Sequence, residues 1–327
     1  MRGSTNRKTR SWLAWLLAAV GLALIPAWQA AAADVTIDLC AKAGTISLPG
    51  PTVVPIWGFA LKPSGVACDD SSVVASLPGP QLEVNAGDTV TINVTNALPG
   101  VAPAHTLSFE APGVAFNPGP TDADVGTTVT RTFAASSPGT FLYESVGDAG
   151  RQTAMGLYGA LIVRSGTANQ AYNDASTAFD VEKVLVLSAI DPTFNADPDT
   201  FDLNDYLATY WVINGTARPD TPPITATAGQ RLLLRYLNAG FDNTSMMLLG
   251  MHERVVARDA YLLKNPFDAN AETIPAGGTE DAIATIPSTA PPSANGFPLF
   301  NRNLHVTNGT SSGPSDTPGG MLIFIEP

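Results

Sequence analysis

Apolar and polar residues alternate with a period of two along most of this chain. The alternation is clearest in QLEVNAGDTVTINVTNA (Gln81 to Ala97), TTVTRTFAA (Thr127 to Ala135), YGALIVR (Tyr158 to Arg164), KVLVLSAI (Lys183 to Ile190) and QRLLLRYLNA (Gln230 to Ala239). A period of two sends successive side chains to opposite faces of an extended backbone, so each stretch predicts a half-buried β-strand. Gly, Pro, Asn and Asp punctuate the strands at the spacing of an all-β sandwich. The 29 Gly and 27 Pro leave little room for long helices.

The pattern occurs twice. Ala86 to Ala97 (AGDTVTINVTNA) and Ala228 to Ala239 (AGQRLLLRYLNA) both open on Ala-Gly, alternate, and close on Asn-Ala. Around them Trp57 answers Trp211, GTFLYE (Gly139 to Glu144) answers GFPLFN (Gly296 to Asn301), and GALIV (Gly159 to Val163) answers GMLIF (Gly320 to Phe324). Each unit is about one sandwich long, which agrees with the two domains that 327 residues suggest. The expected organisation is a first sandwich over 34–165, a linker over 166–179 and a second sandwich over 180–327.

Residues 1–33 carry a different pattern. Arg2, Arg7, Lys8 and Arg10 precede an apolar run from Trp12 to Trp28, followed by the small residues Ala30 to Ala33. This is the layout of an export signal cleaved near Ala33. The run is short for a membrane span and contains Pro26. No Arg-Arg pair precedes it, which favours export in the unfolded state. The expected location is periplasmic, cell-envelope or extracellular. Cleavage removes four of the 17 basic residues and none of the 29 acidic ones, changing the net charge from −12 to −16. Nucleic acid and anionic membranes are therefore poor partners. Cys40 and Cys68 are the only cysteines. In an oxidising compartment a disulfide is the default, a two-thiolate metal site the alternative.

The order Trp57, LPGPQLEVNAGDTVTINVTN, HTLSFE, PGTFLYES, RQTAMGLYGALIV and INGTARPDTPPITATAGQRLLLRYLNAG resembles the cupredoxin domains of multicopper oxidases. It is similar as well to the two-domain, trimeric copper nitrite reductases. The resemblance covers nearly all of the chain after residue 33. It implies two tandem cupredoxin-like Greek-key sandwiches, with a Cys40–Cys68 disulfide confined to the first.

It also implies copper sites, whose ligand positions in this chain hold other residues. Blue copper takes two imidazoles, a thiolate and a weak thioether. His105 matches the first imidazole, but Ser145 stands at the thiolate, Gln152 at the second imidazole and Leu157 at the thioether, with Met155 two residues away. The three imidazole positions of the catalytic copper read Glu110, Glu144 and Arg302, and its acid–base pair falls on Ser108 and Met247. In the multicopper-oxidase pattern the His-x-His pairs fall on His105 and Leu107, then on Glu144 and Val146. A trinuclear cluster needs eight imidazoles, and the chain has three: His105, His252 and His305.

These residues also have plainer readings. His105 reads as a hydrogen-bonded core histidine, and His252 and His305 as structural or exposed. Met246, Met247, Met251 and His252 are soft donors suited to Cu(I), but alternation puts Met247, Leu249 and Met251 on one face, which reads as core packing. The Asp-rich stretch Asp191 to Asp205 lacks the spacing of a calcium loop and reads as a solvated loop.

The sequence therefore points to an exported protein that keeps the cupredoxin framework without its copper, acting as a binding, scaffold or assembly subunit with no bound cofactor. The alternatives are a copper oxidoreductase completed by a partner or by unusual ligands, and a periplasmic copper carrier using the methionines. The expected partner is another protein or further copies of the chain. If the resembled trimer is kept, Arg302 of one copy lies between Glu110 and Glu144 of the next.

Overall fold

The computed structural model describes residues 32–50, 52–100, 105–119, 121–309 and 319–327. The export signal expected over residues 1–33 lies, apart from Ala32 and Ala33, outside the described residues. Among the described residues, the first half holds the strands β1 (Asp34–Leu48), β2 (Thr52–Leu61), β3 (Leu82–Asn85), β4 (Thr89–Ala97), β5 (Leu107–Ser108), β6 (Asp122–Ala123), β7 (Thr128–Ala134), β8 (Gly139–Glu144) and β9 (Tyr158–Arg164). The short helix α1 (Arg151–Met155) precedes β9. A four-stranded sheet in the order β2-β1-β4-β7 faces a three-stranded sheet β3-β9-β8. Leu39, Phe59, Ile92, Phe109, Tyr143 and Leu161 fill the space between them.

The second half repeats this plan with β10 (Val181–Ile190), β11 (Tyr210–Ile213), β12 (Ile224–Thr225), β13 (Arg231–Asn238), β14 (Thr244–Leu248), β15 (Glu253–Arg258), β16 (Tyr261–Ala269), β17 (Ala271–Ile274), β18 (Thr279–Thr285), β19 (Phe297–Asn301) and β20 (Leu322–Glu326). The sheet β11-β10-β13-β18-β15-β16 packs against β12-β20-β19-β14-β17. The repeated sequences occupy equivalent strands. β4 runs parallel to β1 as β13 does to β10, and Trp57 and Trp211 lie on the antiparallel neighbours β2 and β11. β8 pairs with β9 as β19 pairs with β20. The protein is thus all-β, two cupredoxin-like sandwiches in tandem.

A third core joins them. Leu142, Tyr158 and Ile162 from the first sandwich meet Val186, Ile190, Val212 and Leu237 from the second. Beside this apolar joint lies a buried ionic cluster. Asp281 on β18 accepts hydrogen bonds from the Thr140 hydroxyl on β8 at 2.7 Å and from the Tyr172 hydroxyl at 2.6 Å, and pairs with Arg235 on β13 at 3.1 Å. Arg235 also pairs with Glu182, which Arg164 of β9 holds in turn. Residues 166–179 are no loose tether, because Ala171 and Tyr172 are buried against Leu233, Val256 and Ile283.

Two expectations from the sequence need correction. Asp191 to Asp205 is not a free solvated loop. Asp191 caps a one-turn helix, α2 (Pro192–Ala196), whose Phe194 is buried in the first core, with Phe201, Leu203 and Tyr206 packed against that core. The methionine strand also has the opposite phase. Thr244, Met246 and Leu248 face inward, Met247 is half-buried on the other side, and Leu249 is 41% exposed beyond the strand end. The strand stops at Leu248, so alternation does not carry through Gly250 to the buried Met251.

The second core encloses an acidic cluster. Glu253 is fully buried and accepts a hydrogen bond from the Tyr236 hydroxyl at 2.8 Å, while Glu280 pairs with Arg258 and Arg258 with Glu272. Burial pushes the Glu253 carboxyl up to about 8, against the Tyr236 hydrogen bond and with repulsion from Glu280 and Glu272 adding to it. The folded state therefore keeps a proton that the unfolded chain, with an ordinary value of 4.5, gives up. Unfolding releases a proton between those values, so stability falls as pH rises through this window and levels off above it. Glu253→Gln is expected to flatten this decline, and melting temperatures at about pH 6 and about pH 9 measure it. Parallel profiles for variant and wild type would be the contrary result.

Candidate functional site

The residues at the resembled blue-copper positions converge on one end of the first sandwich. His105 precedes β5, Ser145 follows β8, and Gln152 sits in α1. Ser145 is fully buried, and its hydroxyl donates to the Gln152 side-chain carbonyl at 2.6 Å while accepting the Ser108 N–H at 3.1 Å. The Gln152 amide donates to the Thr106 carbonyl and to Asp148 Oδ2, each at 3.0 Å. The same Asp148 oxygen meets His105 Nδ1 at 3.0 Å, and His105 Nε2 faces Asp199 at 3.3 Å. The imidazole rests edge-on against Trp57, with ring centroids 4.6 Å apart.

Backbone strain is concentrated at this place. His105, Asp148 and Ala149 have φ of 55°, 54° and 53°, in the left-handed region that side chains disfavour. The hydrogen bonds among His105, Asp148 and Gln152 hold them there. Leu157 and Met155 are buried in the first core just beneath.

Glu110 and Glu144 are brought together as directly opposed residues, exchanging backbone hydrogen bonds of 2.9 and 2.8 Å. Side chains so placed share a face, and like charges there repel. Each acid is handled differently. Glu110 pairs at 2.8 Å with Arg131 of β7, a buried guanidinium that also donates to the Gly119 carbonyl and lies over the Phe116 ring. Glu144 has no cation partner among the described residues. Burial raises its carboxyl above the usual range, and one hydrogen bond from Thr153 at 3.3 Å offsets this in part. Arg302 is exposed just after β19 and likewise has no ion-pair partner among the described residues.

A multicopper oxidase family model matches residues 66–168 of the chain. Laccase-3 of Oryza sativa subsp. japonica is 27% identical over 236 residues, and the match spans 66% of this chain but only 40% of that relative. The blue copper oxidase from Nitrosomonas europaea superposes with a TM-score of 0.73 at 21% identity, over 90% of this chain and 86% of that one. The copper nitrite reductase from Nitrosomonas europaea superposes with a TM-score of 0.65 at 20% identity, over 89% and 93%. The fold is that of the multicopper oxidases and copper nitrite reductases.

The donors present do not fit the copper that the multicopper-oxidase fold implies. Blue copper needs a thiolate and two imidazoles. Here the thiolate position offers a hydroxyl committed to an amide, and the single imidazole has a carboxylate at each nitrogen. At the other copper position a carboxylate already neutralised by Arg131 faces a half-buried acid. Among the described residues no group of three or more His, Cys, Asp or Glu side chains is arranged to hold a metal ion.

The soft donors are also dispersed. Met246 is in the second core, Met247 is on the opposite face, and His252 is exposed. Met251 and His252 line a shallow cleft with Arg231 and the Arg254–Asp268 ion pair. His305 stacks on Trp211 with centroids 4.2 Å apart, and burial holds its imidazole below the ordinary value. Cys40 and Cys68 form the disulfide, within the first sandwich.

Sequence reasoning passed over Arg131, Asp148 and Asp199. For Arg131 a signal existed. In TTVTRTFAA it shares the inward phase with Val129 and Phe133, and an inward arginine requires a carboxylate partner.

Proposed function

We propose that this chain is an exported assembly or binding subunit of the cell envelope, built on the multicopper-oxidase fold and working without copper. The observation that carries this reading is the hydrogen-bond chain Ser145–Gln152–Asp148–His105, continued from His105 to Asp199, which engages the polar side chains at the resembled blue-copper positions. The Cys40–Cys68 disulfide supports an oxidising destination. No helix among the described residues is long and apolar enough to cross a membrane. Protein purified from its natural host is expected to contain no copper by metal analysis and to be colourless. An intense visible thiolate-to-copper band would overturn the reading, and colourless bound Cu(I) would point to the methionines instead.

The partner in this reading is further copies of the chain, in the trimer of the copper nitrite reductases that the sequence resembles. Arg302 of one copy then meets Glu144 of the next. Arg131 already holds Glu110, so the contact reduces to one acid and one base and carries no surplus charge. An arginine fork suits a half-buried carboxylate better than a lysine point charge. The prediction is a wild type that sediments as a trimer at neutral pH and an Arg302→Ala variant shifted toward monomer. A monomeric wild type, or a variant trimer of unchanged stability, defeats it.

A further inference from the structure

Between the two sandwiches, away from the copper positions, lies a groove of about 420 Å³. Its first wall comes from the first sandwich, with Phe133 on β7 and Phe141 on β8, and its second from the tip of the β15–β16 hairpin, Asp259 to Leu262. Tyr172, from the segment joining the halves, forms part of the lining. Pockets for small molecules favour such joints, have this range of volume, and are mostly apolar with a few fixed polar groups.

The groove is built rather than incidental. The hairpin tip turns through Asp259 and Ala260 at φ of 47° and 63°, and it seats against Gly139 so closely that a Cβ there would lie 2.6 Å from the Ala260 Cβ. The Asp259 carboxylate accepts the Thr279 N–H at 3.0 Å, which fixes the turn. The Phe141 ring rests on Gly113, where a Cβ would meet it at 3.4 Å. Tyr172 has its hydroxyl spent on Asp281, so it offers the groove only its ring. Tyr261 and Leu262 stand at the rim, 72% and 41% exposed, larger and more apolar than a solvated hairpin tip needs.

Charge selects the occupant. Asp259 is the one charged residue among those lining the groove, and no lining residue is basic. The field of the acidic chain also favours a cation. Aromatic faces beside a carboxylate form the surroundings in which an ammonium is stabilised both by the ring quadrupole and by the opposite charge.

We propose that this groove is a binding site for a small arylalkylamine, its ring held among Phe141, Tyr172 and Tyr261 and its alkylammonium directed to Asp259. The site draws on both sandwiches, so an occupant fastens the joint. None of the residues at the copper positions lines it.

Calorimetry with tryptamine, indole-3-ethanol and indole-3-acetate tests it, because the three share a ring and differ in the charge of the end group. Tryptamine is expected to bind most tightly and indole-3-acetate least. Asp259→Asn keeps an oxygen for the Thr279 N–H, and is expected to weaken tryptamine roughly five- to tenfold while leaving indole-3-ethanol unchanged. Ala115→Trp, which fills the groove from the first wall, is expected to abolish binding of all three. The proposal is overturned if none of the probes binds, if the acid binds as well as the amine, or if either variant leaves tryptamine binding unchanged.

Discussion

Asp281→Ala is expected to lower the unfolding free energy by roughly 3–5 kcal/mol, the range for removing one partner from a buried ion pair. The carboxylate is 1% exposed, as is Arg235, so neither charge has water to fall back on. Its loss strands several donors at once. Thr140 and Tyr172 lose their acceptor, and Arg235 keeps the Thr140 hydroxyl but a single carboxylate, Glu182, which it shares with Arg164. Each buried donor left unmatched adds about 1–3 kcal/mol of desolvation. Asp268→Ala is the control, because the Arg254–Asp268 pair is half-exposed on both sides and is worth under about 1 kcal/mol. Urea titrations of the three proteins decide the matter. Thr140 belongs to the first sandwich and Asp281 to the second, so the variant is also expected to separate one cooperative transition into two. A single transition within about 1 kcal/mol of wild type would falsify the account.

Replacing both cysteines by alanine is expected to cost about 3.5 kcal/mol, the chain-entropy value for a closed loop of this length. The bridge spans 28 residues, from the buried strand β1 to the turn after β2. Cys40, Ala60, Cys68 and Val73 form a small apolar cluster, so truncation also leaves a gap there. The Lys42 ammonium donates to the carbonyls of Cys68 and Val73 and retains part of the loop without the bridge. Denaturant midpoints for wild type with and without reductant, set beside the Cys40→Ala, Cys68→Ala variant, form the test. Reduced wild type should fall close to the variant and lie above it by the cost of the gap. A midpoint indifferent to reductant, or free thiols in the denatured unreduced protein, would contradict it.

The framework was legible in the sequence because alternation and turn residues are local signals. The two copies of the Ala-Gly to Asn-Ala strand each pair in parallel with the strand that opens their sandwich, as a repeat should. Contacts that depend on distant segments were not legible. Phe194 sits in an Asp-rich stretch that reads as solvated, yet its ring is buried in the core of the other sandwich. No pattern within fifteen residues announces that. The phase of the methionine strand depended on where the strand ends, and hydrophobicity alone does not mark Leu248 as the last residue. At the candidate site, the resemblance pointed to residues at the ligand positions but not to what they bond to. His105 was read as a hydrogen-bonded histidine, but Asp148 and Asp199, which bond it, lie 43 and 94 positions away. Glu144 stands out for the opposite reason, because no cation among the described residues answers its charge.

The third core has a consequence for how the chain comes into being. Its apolar side chains are divided between the halves, so neither sandwich alone covers its own share. As the chain emerges after export, the strands of the first sandwich are present before β10, and Leu142, Tyr158 and Ile162 then wait on an open face. That interval is where the nascent protein is sticky, and where a holding chaperone would bind. In refolding, a chain ending at residue 165 should therefore aggregate more readily than the full-length chain.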